Sequence, residues 1–569
     1  MTPTPAFFDC YVFGAIILIM EKNTQDANLI RETGFIGEII SDTAGLTPYE
    51  NDTSLFEIHP SLVVKPKNSE DIKKLVTFVS ERKEIDPTLS LTARAAGTGM
   101  AGGALNESII VDVANMNNIR SVMTEKAVVE PGVYYRDMDI ATKEKGVIMP
   151  SFPASRNLCA VGGMTGTNAS GEMTLTYGST RDWVKRLKVV LSDGNEYEFG
   201  PLTVTELEEK KKLGTLEGSI YRGMHELLEK NYDLVKNAKP KVAKNSTGYA
   251  LWEIWDRKTF DLSKLFVGSE GTLGIFTEIE FALIKPKEHR KLVVIFLRDL
   301  KILSSVISKV LSHKPETFET YDDRVIKFLF RFLPDFIKAL KTGLINLGLS
   351  FIPELIMVIK GGFPRLVLLA EFTGETDEEA TKKAETAFQD LKQFKLQMEM
   401  MRTPKEAERF WTMRHESFNI LRKHSGENKT APFIDDIIVA PEKLPEFMPR
   451  LDKIMAEYKL TYTIQGHIGD GNFHIFPLMN LHNARDRDIV MELGQKVFDL
   501  VFEFGGSMSG EHNDGLIRTA YLKQMYGDKV YSLFEETKNI FDPQNIFNPG
   551  KKVYGHSLEY IKEHIDKVY

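Results

Sequence analysis

A glycine-rich segment, GTGMAG at 97–102, matches the G-x-G-x-x-G pattern of dinucleotide-binding turns. That pattern forms a Rossmann turn only when a strand leads into it and a helix follows, because the helix N-terminus receives the pyrophosphate charge. The run LSLTARAA precedes the loop as a strand, but only ALNES separates Gly103 from the β-branched run IIVDVANM. A crossover helix needs roughly ten residues, so the segment excludes a Rossmann fold.

Two interpretations of this loop remain on its sequence alone. Successive backbone N–H groups of a glycine-rich loop can point at a diphosphate and form an anion-binding nest. The first interpretation is therefore a binding loop for a phosphate-bearing cofactor. The second is a plain glycine-rich hairpin between two close strands.

Composition narrows the class of protein. A chain of 569 residues is too long for one core, and its length favours two to four domains. The net charge of -8 argues against a nucleic-acid binder, which needs a clustered positive field. Only Cys10 and Cys159 are present, so a disulfide framework and a cysteine-ligated zinc or iron–sulfur site are excluded. Any metal is expected on His, Asp and Glu.

Two apolar segments bear on membrane contact. Residues 7–20, FFDCYVFGAIILIM, are shorter than the ~20 residues of a membrane span. We expect an extension outside the fold, with Met20 as a plausible start and a weak membrane anchor as the alternative. The segment 324–360 has six basic residues and two acidic ones at helical spacing, which predicts either a buried helical insertion or helices in a membrane interface. We expect a cytoplasmic protein, with peripheral contact to the inner face of the membrane left open.

The element pattern changes along the chain. From about 34 to 280, short β-rich runs alternate with helices, and glycine clusters recur in AVGGMTGTNASGE at 160–172 and in VGSEGTLG before a strand. A hairpin is predicted around Asp193 and Gly194. From about 290, longer strands and helices such as KLVVIFLRD and RLVLLAEFTGE predict an antiparallel sheet with helices on one face, a second α+β domain.

The sequence QGHIGDGNFHIF carries the main chemical signal, since a GDG loop between two short strands can bring His467 and His474 together. A second glycine-bounded segment, MSGEHNDGLIR, supplies Glu511 and His512. Nitrogen ligands favour zinc, iron or manganese, and three ligands with an open position are typical of a catalytic metal site. We assign His467, His474 and Glu511 to the metal and His512 to proton transfer.

Arg414 lies in RFWTMRHESFNILRK, on a predicted helix. Arginine binds carboxylates bidentately, so this residue is either a substrate-carboxylate ligand or a member of a surface ion pair.

Six segments occur in an order that resembles the FAD-linked oxidoreductases of the vanillyl-alcohol-oxidase type: RAAGTGMAGG, AVGGMTGTNASG, VGSEGTLGI, GHIGDGNFH, GEHNDG and FDPQNIFNPGK. The resemblance points to the D-lactate, glycolate and D-2-hydroxyglutarate dehydrogenase branch and covers about Gly37 to Lys551. It implies an α+β fold. After an extension at 1–33, it places a two-subdomain PCMH-type FAD-binding domain at 34–285, a ferredoxin-like α+β cap domain for the substrate at 286–515 and a C-terminal helical segment at 516–569 that returns to the flavin.

The same resemblance implies the cofactor contacts. The first loop contains no His or Cys for covalent attachment, so we expect non-covalent FAD. The implied FAD-binding residues are Gly97, Thr98, Gly99, Met100 and Gly102 in the first loop, Gly162, Gly163, Asn168, Ser170 and Gly171 in the second, Glu270, Gly271 and Ile275 in the third, and Asn548 near the C-terminus.

By resemblance, His467, His474 and Glu511 are the metal ligands, His512 is the base and Arg414 binds the substrate carboxylate. The implied reaction oxidises a D-2-hydroxy acid to a 2-oxo acid with hydride transfer to flavin N5. The electrons would pass to a quinone, a cytochrome or an electron-transfer flavoprotein. The alternatives are an FAD-linked oxidase of another alcohol or sugar acid, and a catalytically silent flavoprotein electron-transfer subunit.

Two features depart from the family pattern. Asn513 stands where relatives commonly have Gly, which puts the backbone of the loop around His512 in question. The insertion at 324–360 is longer and more apolar than we expect of soluble members.

Overall fold

The computed structural model describes residues 21–331, 362–423 and 428–566. Of the extension predicted at 1–33, residues 1–20 lie outside the described residues. Residues 21–32 form a helix whose Ala27 and Ile30 are buried in the core of the first sheet, so this part belongs to the fold. The part of the 324–360 insertion that follows Arg331 also lies outside the described residues, and with it the question of a membrane-interface helix.

The strands of the described residues fall into four sheets. In chain order, they are β1 (Glu38–Ile40), β2 (Leu62–Lys65), β3 (Leu91–Arg94), β4 (Ile109–Asp112), β5 (Ile119–Val122), β6 (Lys126–Val129), β7 (Val184–Val190), β8 (Glu196–Phe199), β9 (Pro201–Thr203), β10 (Thr259–Asp261), β11 (Ile275–Ala282), β12 (His289–Leu297), β13 (Thr317–Asp322), β14 (Leu366–Gly374), β15 (Gln397–Met401), β16 (Lys429–Thr430), β17 (Ile437–Ile438), β18 (Thr461–His467) and β19 (Asn472–Met479).

The α-helices cover these sheets. In chain order, they are α1 (21–32), α2 (Thr43–Leu46), α3 (Ser69–Arg82), α4 (Tyr135–Lys143), α5 (Val161–Thr167), α6 (Thr174–Tyr177), α7 (Thr180–Trp183), α8 (Val204–Lys211), α9 (Leu216–Lys230), α10 (Tyr232–Asn237), α11 (Ser263–Phe266), α12 (Leu303–Ser312), α13 (Asp323–Arg331), α14 (Asp377–Leu391), α15 (Pro404–Lys423), α16 (Leu444–Glu457), α17 (Ala484–Glu503), α18 (Gly515–Thr519), α19 (Leu522–Phe541) and α20 (Leu558–Glu563). Of the helices in the described part of the chain, none combines the length and the apolar character needed to cross a membrane.

The first sheet has the order β1-β2-β4-β3, and β3 runs parallel to β4 with Leu91 opposite Ile109. The hairpin interpretation of the GTGMAG segment is therefore wrong. The loop at 95–108 is long enough to carry the chain back along the sheet without a helix, so the two strands point the same way. Helix α3 packs on this sheet through Ile72 and Leu75, and it starts after Asn68, whose side chain accepts a hydrogen bond from the N–H of Asp71.

The second sheet is antiparallel, with the order β5-β6-β11-β7-β8. Strands β7 and β8 form the hairpin predicted around Asp193 and Gly194, where Gly194 has a φ of 75°. This φ favours glycine because it lies in the left-handed region. The sheet and helices α4 and α9 enclose a core of their own.

The third large sheet has eight strands, and every neighbouring pair in it is antiparallel, as predicted. The prediction of helices on one face is wrong, because helices cover both. Val293 and Ile295 face α12 and α14, whereas Leu292 and Val294 face α13 and α15. The reason lies in the strands: the last seven residues of β12 and all nine of β14 are buried. Strands without alternation are buried on two sides.

The C-terminal segment returns to the first sheet. The N–H of Leu91 donates to the carbonyl of Ile546 at 2.7 Å, and the N–H of Asn548 donates to the carbonyl of Leu91 at 2.8 Å. Residues 546–548 therefore extend the sheet beside β3, immediately before the first glycine loop begins.

Candidate active site

The hairpin of β18 and β19 positions two imidazoles. His467 ends β18 and His474 lies within β19, and their ring centroids are 5.2 Å apart. Gly471 makes this turn possible, because it has a φ of 73° and a Cβ there would lie 1.9 Å from the carbonyl oxygen of Val439. The structure thus brings together the two histidines of the GHIGDGNFH segment.

Glu511 is the centre of a cluster of three imidazoles. Its Oε1 atom lies 3.3 Å from Nε2 of His467, 3.2 Å from Nε2 of His474 and 3.8 Å from Nε2 of His512. Its other oxygen, Oε2, accepts hydrogen bonds from Lys244 at 2.8 Å and from Ser170 at 2.9 Å. The four predicted residues His467, His474, Glu511 and His512 therefore share one buried site.

Carboxylates hold the outer nitrogen of each imidazole. Nδ1 of His467 lies 2.6 Å from Glu319, and Nδ1 of His474 lies 2.9 Å from Oδ1 of Asp435. The second oxygen of Asp435 lies 2.7 Å from Nδ1 of His512. Histidines that bind metals are usually oriented by a carboxylate or carbonyl on the second ring nitrogen. All three Nε2 atoms consequently point to the same side, toward Glu511.

Arg414 joins this cluster from α15. Its Nε and Nη2 atoms lie 3.0 and 2.9 Å from Oε2 of Glu319, the carboxylate that also holds His467. Arg414 is only 7% exposed, so the surface ion pair considered from the sequence is wrong. The guanidinium lies inside the protein, and Glu319 connects it to the imidazole cluster.

The charges of the cluster stabilise each other. Burial alone would raise the pKa of Glu511, but Lys244 and the imidazoles hold it well below its usual range. Burial alone would lower the pKa of His474, but Asp435 and Glu511 raise it to about 10. The same balance between burial and Asp435 raises the pKa of His512. Glu511 is therefore ionised, and it lies in a site rich in imidazole nitrogens.

Asp436 braces the loop that carries Glu511. Its Oδ2 accepts hydrogen bonds from the backbone N–H groups of Glu511 at 2.9 Å and His512 at 2.7 Å. Its Oδ1 accepts from Asn472 at 3.0 Å. Asp436, His474, Glu511 and His512 have potential ligand atoms within 4.8 Å of one another. Since both oxygens of Asp436 already have partners, we assign it a supporting role.

The structure shows how the loop accommodates Asn513 at a position where relatives commonly have Gly. Its φ is 70°, in the left-handed region that Asn tolerates better than most residues. Its side-chain amide donates to the carbonyls of Thr167 at 3.0 Å and Gly268 at 2.9 Å. The loop keeps the backbone conformation that glycine allows, and the added side chain connects it to the second and third glycine loops.

The first glycine loop has the geometry of an anion cradle. Gly97 and Gly102 have φ values of 65° and 76°, while Thr98, Gly99 and Met100 lie between them and are partly exposed. Within the described residues, none of the N–H groups of 96–103 donates to another backbone group. Such a run of available N–H donors fits the diphosphate of FAD.

The second and third loops surround the first. Gly162 and Gly163 lie in helix α5, which ends at Asn168 with a φ of 57°, and Ser170 and Gly171 follow it. In the third loop, Glu270 and Gly271 have φ values of 55° and 68°, and Ile275 begins β11. Asn548 donates to the carbonyls of Gly103 at 2.9 Å and Glu270 at 2.7 Å. The C-terminal segment thus connects the first and third loops.

Sequence reasoning missed four charged residues of the site: Lys244, Glu319, Asp435 and Asp436. Glu319, Asp435 and Asp436 are buried next to apolar residues in the sequence, as in FIDDIIV and TFETYD, whereas Lys244 lies in the more polar segment KVAKNST. Buried charges require partners, so a charged residue beside apolar ones was the available signal for the three acids. That signal does not reveal which distant residue is the partner.

Two family descriptions match the chain. Residues 60–200 match "FAD binding domain", and residues 286–552 match "FAD linked oxidases, C-terminal domain". These two matches confirm the predicted resemblance to FAD-linked oxidoreductases. Both matched regions contribute to the site described above, since Ser170 lies in the first and Glu511 in the second.

Relatives of this chain include two kinds of dehydrogenase. It is 28% identical to D-2-hydroxyglutarate dehydrogenase of Pseudomonas putida over 92% of this chain and 51% of that protein. This chain therefore spans about half the length of that relative. It is 26% identical to D-lactate dehydrogenase of Archaeoglobus fulgidus over 86% of this chain and 91% of that protein.

The fold is shared with p-cresol methylhydroxylase in its substrate-bound crystal structure. The TM-score is 0.65 at 16% identity, over 91% of this chain and 94% of that one. At this identity the likeness shows the fold alone, and it confirms the predicted α+β architecture with a PCMH-type FAD-binding domain.

Proposed function

We propose that this protein oxidises a D-2-hydroxy acid to the corresponding 2-oxo acid with FAD as its cofactor. The observation that supports this most is the convergence of three imidazoles on Glu511, directly beside Ser170 of the second glycine loop and with Arg414 nearby. D-Lactate, glycolate and D-2-hydroxyglutarate are the substrate types, in line with the names of the relatives.

The glycine loops would hold FAD without a covalent bond. The N–H groups of the first loop would bind the diphosphate, and Ser170, Gly171 and Asn548 belong to the segments that close around the flavin. Bound FAD would supply the two-electron acceptor for the α-carbon of the substrate.

His467, His474 and Glu511 would hold a divalent metal. Two nitrogen donors and one oxygen donor fit zinc, with iron or manganese as alternatives, and such an ion would supply Lewis-acid chemistry at the substrate hydroxyl. Nε2 of His512 lies 3.8 Å from Oε1 of Glu511, farther than the 3.3 and 3.2 Å of the other two imidazoles. The longer distance supports a base rather than a ligand.

His512 would remove the hydroxyl proton. Its Nδ1 lies 2.7 Å from Oδ2 of Asp435, a neighbour that favours a proton on Nδ1 and would leave Nε2 to take the substrate proton. Asp435 also raises the pKa of His512 against the effect of burial, so it would stabilise the imidazolium that forms when His512 takes the proton. Arg414 would bind the substrate carboxylate and thereby orient the α-carbon.

The reduced cofactor requires an electron acceptor. We propose a quinone, a cytochrome or an electron-transfer flavoprotein, because the two cysteines of the chain cannot hold an iron–sulfur relay. A quinone would agree with peripheral membrane contact through 324–360.

The function is tested by anaerobic mixing. Purified protein is mixed with matched D- and L-2-hydroxy acids, flavin absorbance is followed, and the metal content of the same sample is measured. We expect bleaching by at least one D-isomer, one bound divalent metal per chain, and loss of bleaching when a chelator removes that metal. Equal bleaching by simple alcohols or sugar acids, or full activity of metal-free protein, would contradict the proposal.

A further inference from the structure

A segment of the FAD-binding half, 244–248, lies along the loop that carries Glu511. The N–H of Ser246 donates to the carbonyl of Ser509 at 3.1 Å, and its hydroxyl donates to the carbonyl of Gly510 at 2.9 Å. The N–H of Gly248 donates to Asp514 at 2.8 Å. These bonds fix the position of Lys244, which begins the segment.

Lys244 is buried, and its ammonium group is directed at Glu511. Its Nζ atom lies 2.8 Å from Oε2 of Glu511 and 3.5 Å from the hydroxyl of Ser170. Its side chain is 3% exposed. The ammonium therefore forms a buried ion pair with the carboxylate.

The two oxygens of Glu511 consequently have different partners. Oε2 is engaged by Lys244 and Ser170, while Oε1 alone faces the three imidazoles. A carboxylate held in this way can offer a metal only one oxygen. Two imidazoles and one oxygen leave a coordination position open, as catalytic metal sites require.

We propose that Lys244 is a positioning residue that holds Glu511 as a single-oxygen ligand and so preserves the open position for the substrate hydroxyl. This inference rests on the proposed function, because it assumes that Glu511 binds a metal. It goes beyond that function by assigning a role to a residue outside every recognised sequence motif, and by making the FAD-binding half responsible for the geometry of a ligand in the other half.

The test uses the full-length, FAD-loaded protein with cobalt as the probe metal, since its visible absorption reports coordination number. In Lys244→Met, Oε2 of Glu511 keeps only the hydroxyl of Ser170 as a partner and becomes accessible to the metal. We expect cobalt to bind with wild-type stoichiometry but with the weaker bands of a higher coordination number. We also expect kcat to fall about 10²-fold, the scale of a small misplacement of reacting groups, with a smaller change in KM.

Lys291→Met is the matched control. Lys291 is a similarly buried lysine in strand β12 of the eight-stranded sheet, and its Nζ atom lies 2.6 Å from the carboxylate of Asp377. This variant should keep the wild-type cobalt spectrum.

Chemical rescue provides a second measurement. Ethylammonium added to Lys244→Ala should restore turnover and the wild-type cobalt spectrum, whereas 1-propanol of similar size should not. A wild-type spectrum in Lys244→Met, or equal rescue by both compounds, would overturn the proposed role of Lys244. Absence of cobalt from the wild-type protein would instead overturn the metal site itself, so the two failures are distinguishable.

Discussion

Asp435 contacts two different imidazoles of the site, with Oδ1 on His474 at 2.9 Å and Oδ2 on His512 at 2.7 Å. One buried carboxylate therefore orients both a proposed metal ligand and the proposed base. A single residue thus relates the position of the metal to the position of the proton acceptor.

Replacing this carboxylate should impair both functions. In Asp435→Asn, an amide can accept a hydrogen bond from only one of the two imidazoles, and the negative charge that orients them is lost. Loss of such a partner typically weakens metal binding 10–100-fold, and we expect that loss here together with slower flavin reduction. Chelator competition on the FAD-loaded protein measures the first effect, and wild-type metal affinity would contradict the assignment.

Removing the proposed base should affect the reaction without affecting the flavin. His512→Ala should bind FAD normally, but its rate of flavin reduction should fall by ~10²–10⁴-fold, the usual contribution of general base catalysis. Stopped-flow absorbance under anaerobic conditions gives that rate. The exposed residue His482 offers a control, since His482→Ala should reduce flavin at the wild-type rate. Substrate-driven bleaching at wild-type speed in His512→Ala would refute the role.

The guanidinium of Arg414 should be required for its shape as well as its charge. In Arg414→Lys, the two contacts from Nε and Nη2 to Glu319 cannot both form, because an ammonium lacks the planar fork. A charge-assisted hydrogen bond contributes about 1.5–3 kcal/mol, so KM for the 2-hydroxy acid should rise roughly 10- to 100-fold. The control is Arg409→Lys. Arg409 lies on the same helix as Arg414, and its guanidinium is 3.3 Å from the carboxylate of Glu399. An unchanged KM in Arg414→Lys would count against carboxylate binding.

The first glycine loop should not accept a side chain at Gly97. Its φ is 65°, and a Cβ there would lie 2.5 Å from Nη2 of Arg94. We expect Gly97→Ala to lose FAD during purification. Gly146 has a similar φ of 72° but open space around the position of a Cβ. Gly146→Ala should therefore cost only about 1–2 kcal/mol of backbone strain and keep its flavin. Equal flavin content in the two variants would contradict the assignment of the first glycine loop to the diphosphate of FAD.

Asn513 should contribute to stability through its side chain rather than its backbone. Asn513→Gly keeps the left-handed conformation but removes the bonds to Thr167 and Gly268, at about 1 kcal/mol each. The free energy of unfolding should fall by about 2 kcal/mol, measured by denaturant titration of the FAD-loaded protein. A variant as stable as the wild type would show that these bonds contribute nothing.

Local patterns in the sequence predicted much of this architecture. The turn at Asp193 and Gly194 and the antiparallel order of the long strands follow from residues near each other in the chain. The sequence predicts that no helix follows Gly103, but it does not predict the parallel pairing of β3 and β4. The direction of a strand depends on where the long loop before it returns to the sheet. Helices cover both faces of the large sheet because β12 and β14 lack alternation, and KLVVIFLRD already carries this signal in the sequence.

The residues of the candidate site were also predictable only in part. His467 and His474 were predictable because glycines mark the turn between them. Lys244, Glu319 and Asp435 were not, since each is defined by a partner far away in the chain. Glu319 contacts residues 95 and 148 positions away, Arg414 and His467. Such pairs depend on the assembled fold, and no single segment encodes them.

The contact of β3 with Ile546 and Asn548 has a consequence for cofactor loading. The loop that would receive the diphosphate starts at the end of a strand whose neighbour comes from a distant part of the chain. This edge of the sheet is incomplete until residues 546–548 have docked beside β3. We therefore expect FAD to be retained only after this docking, so that the flavin content of a preparation reports how many molecules have joined the two segments.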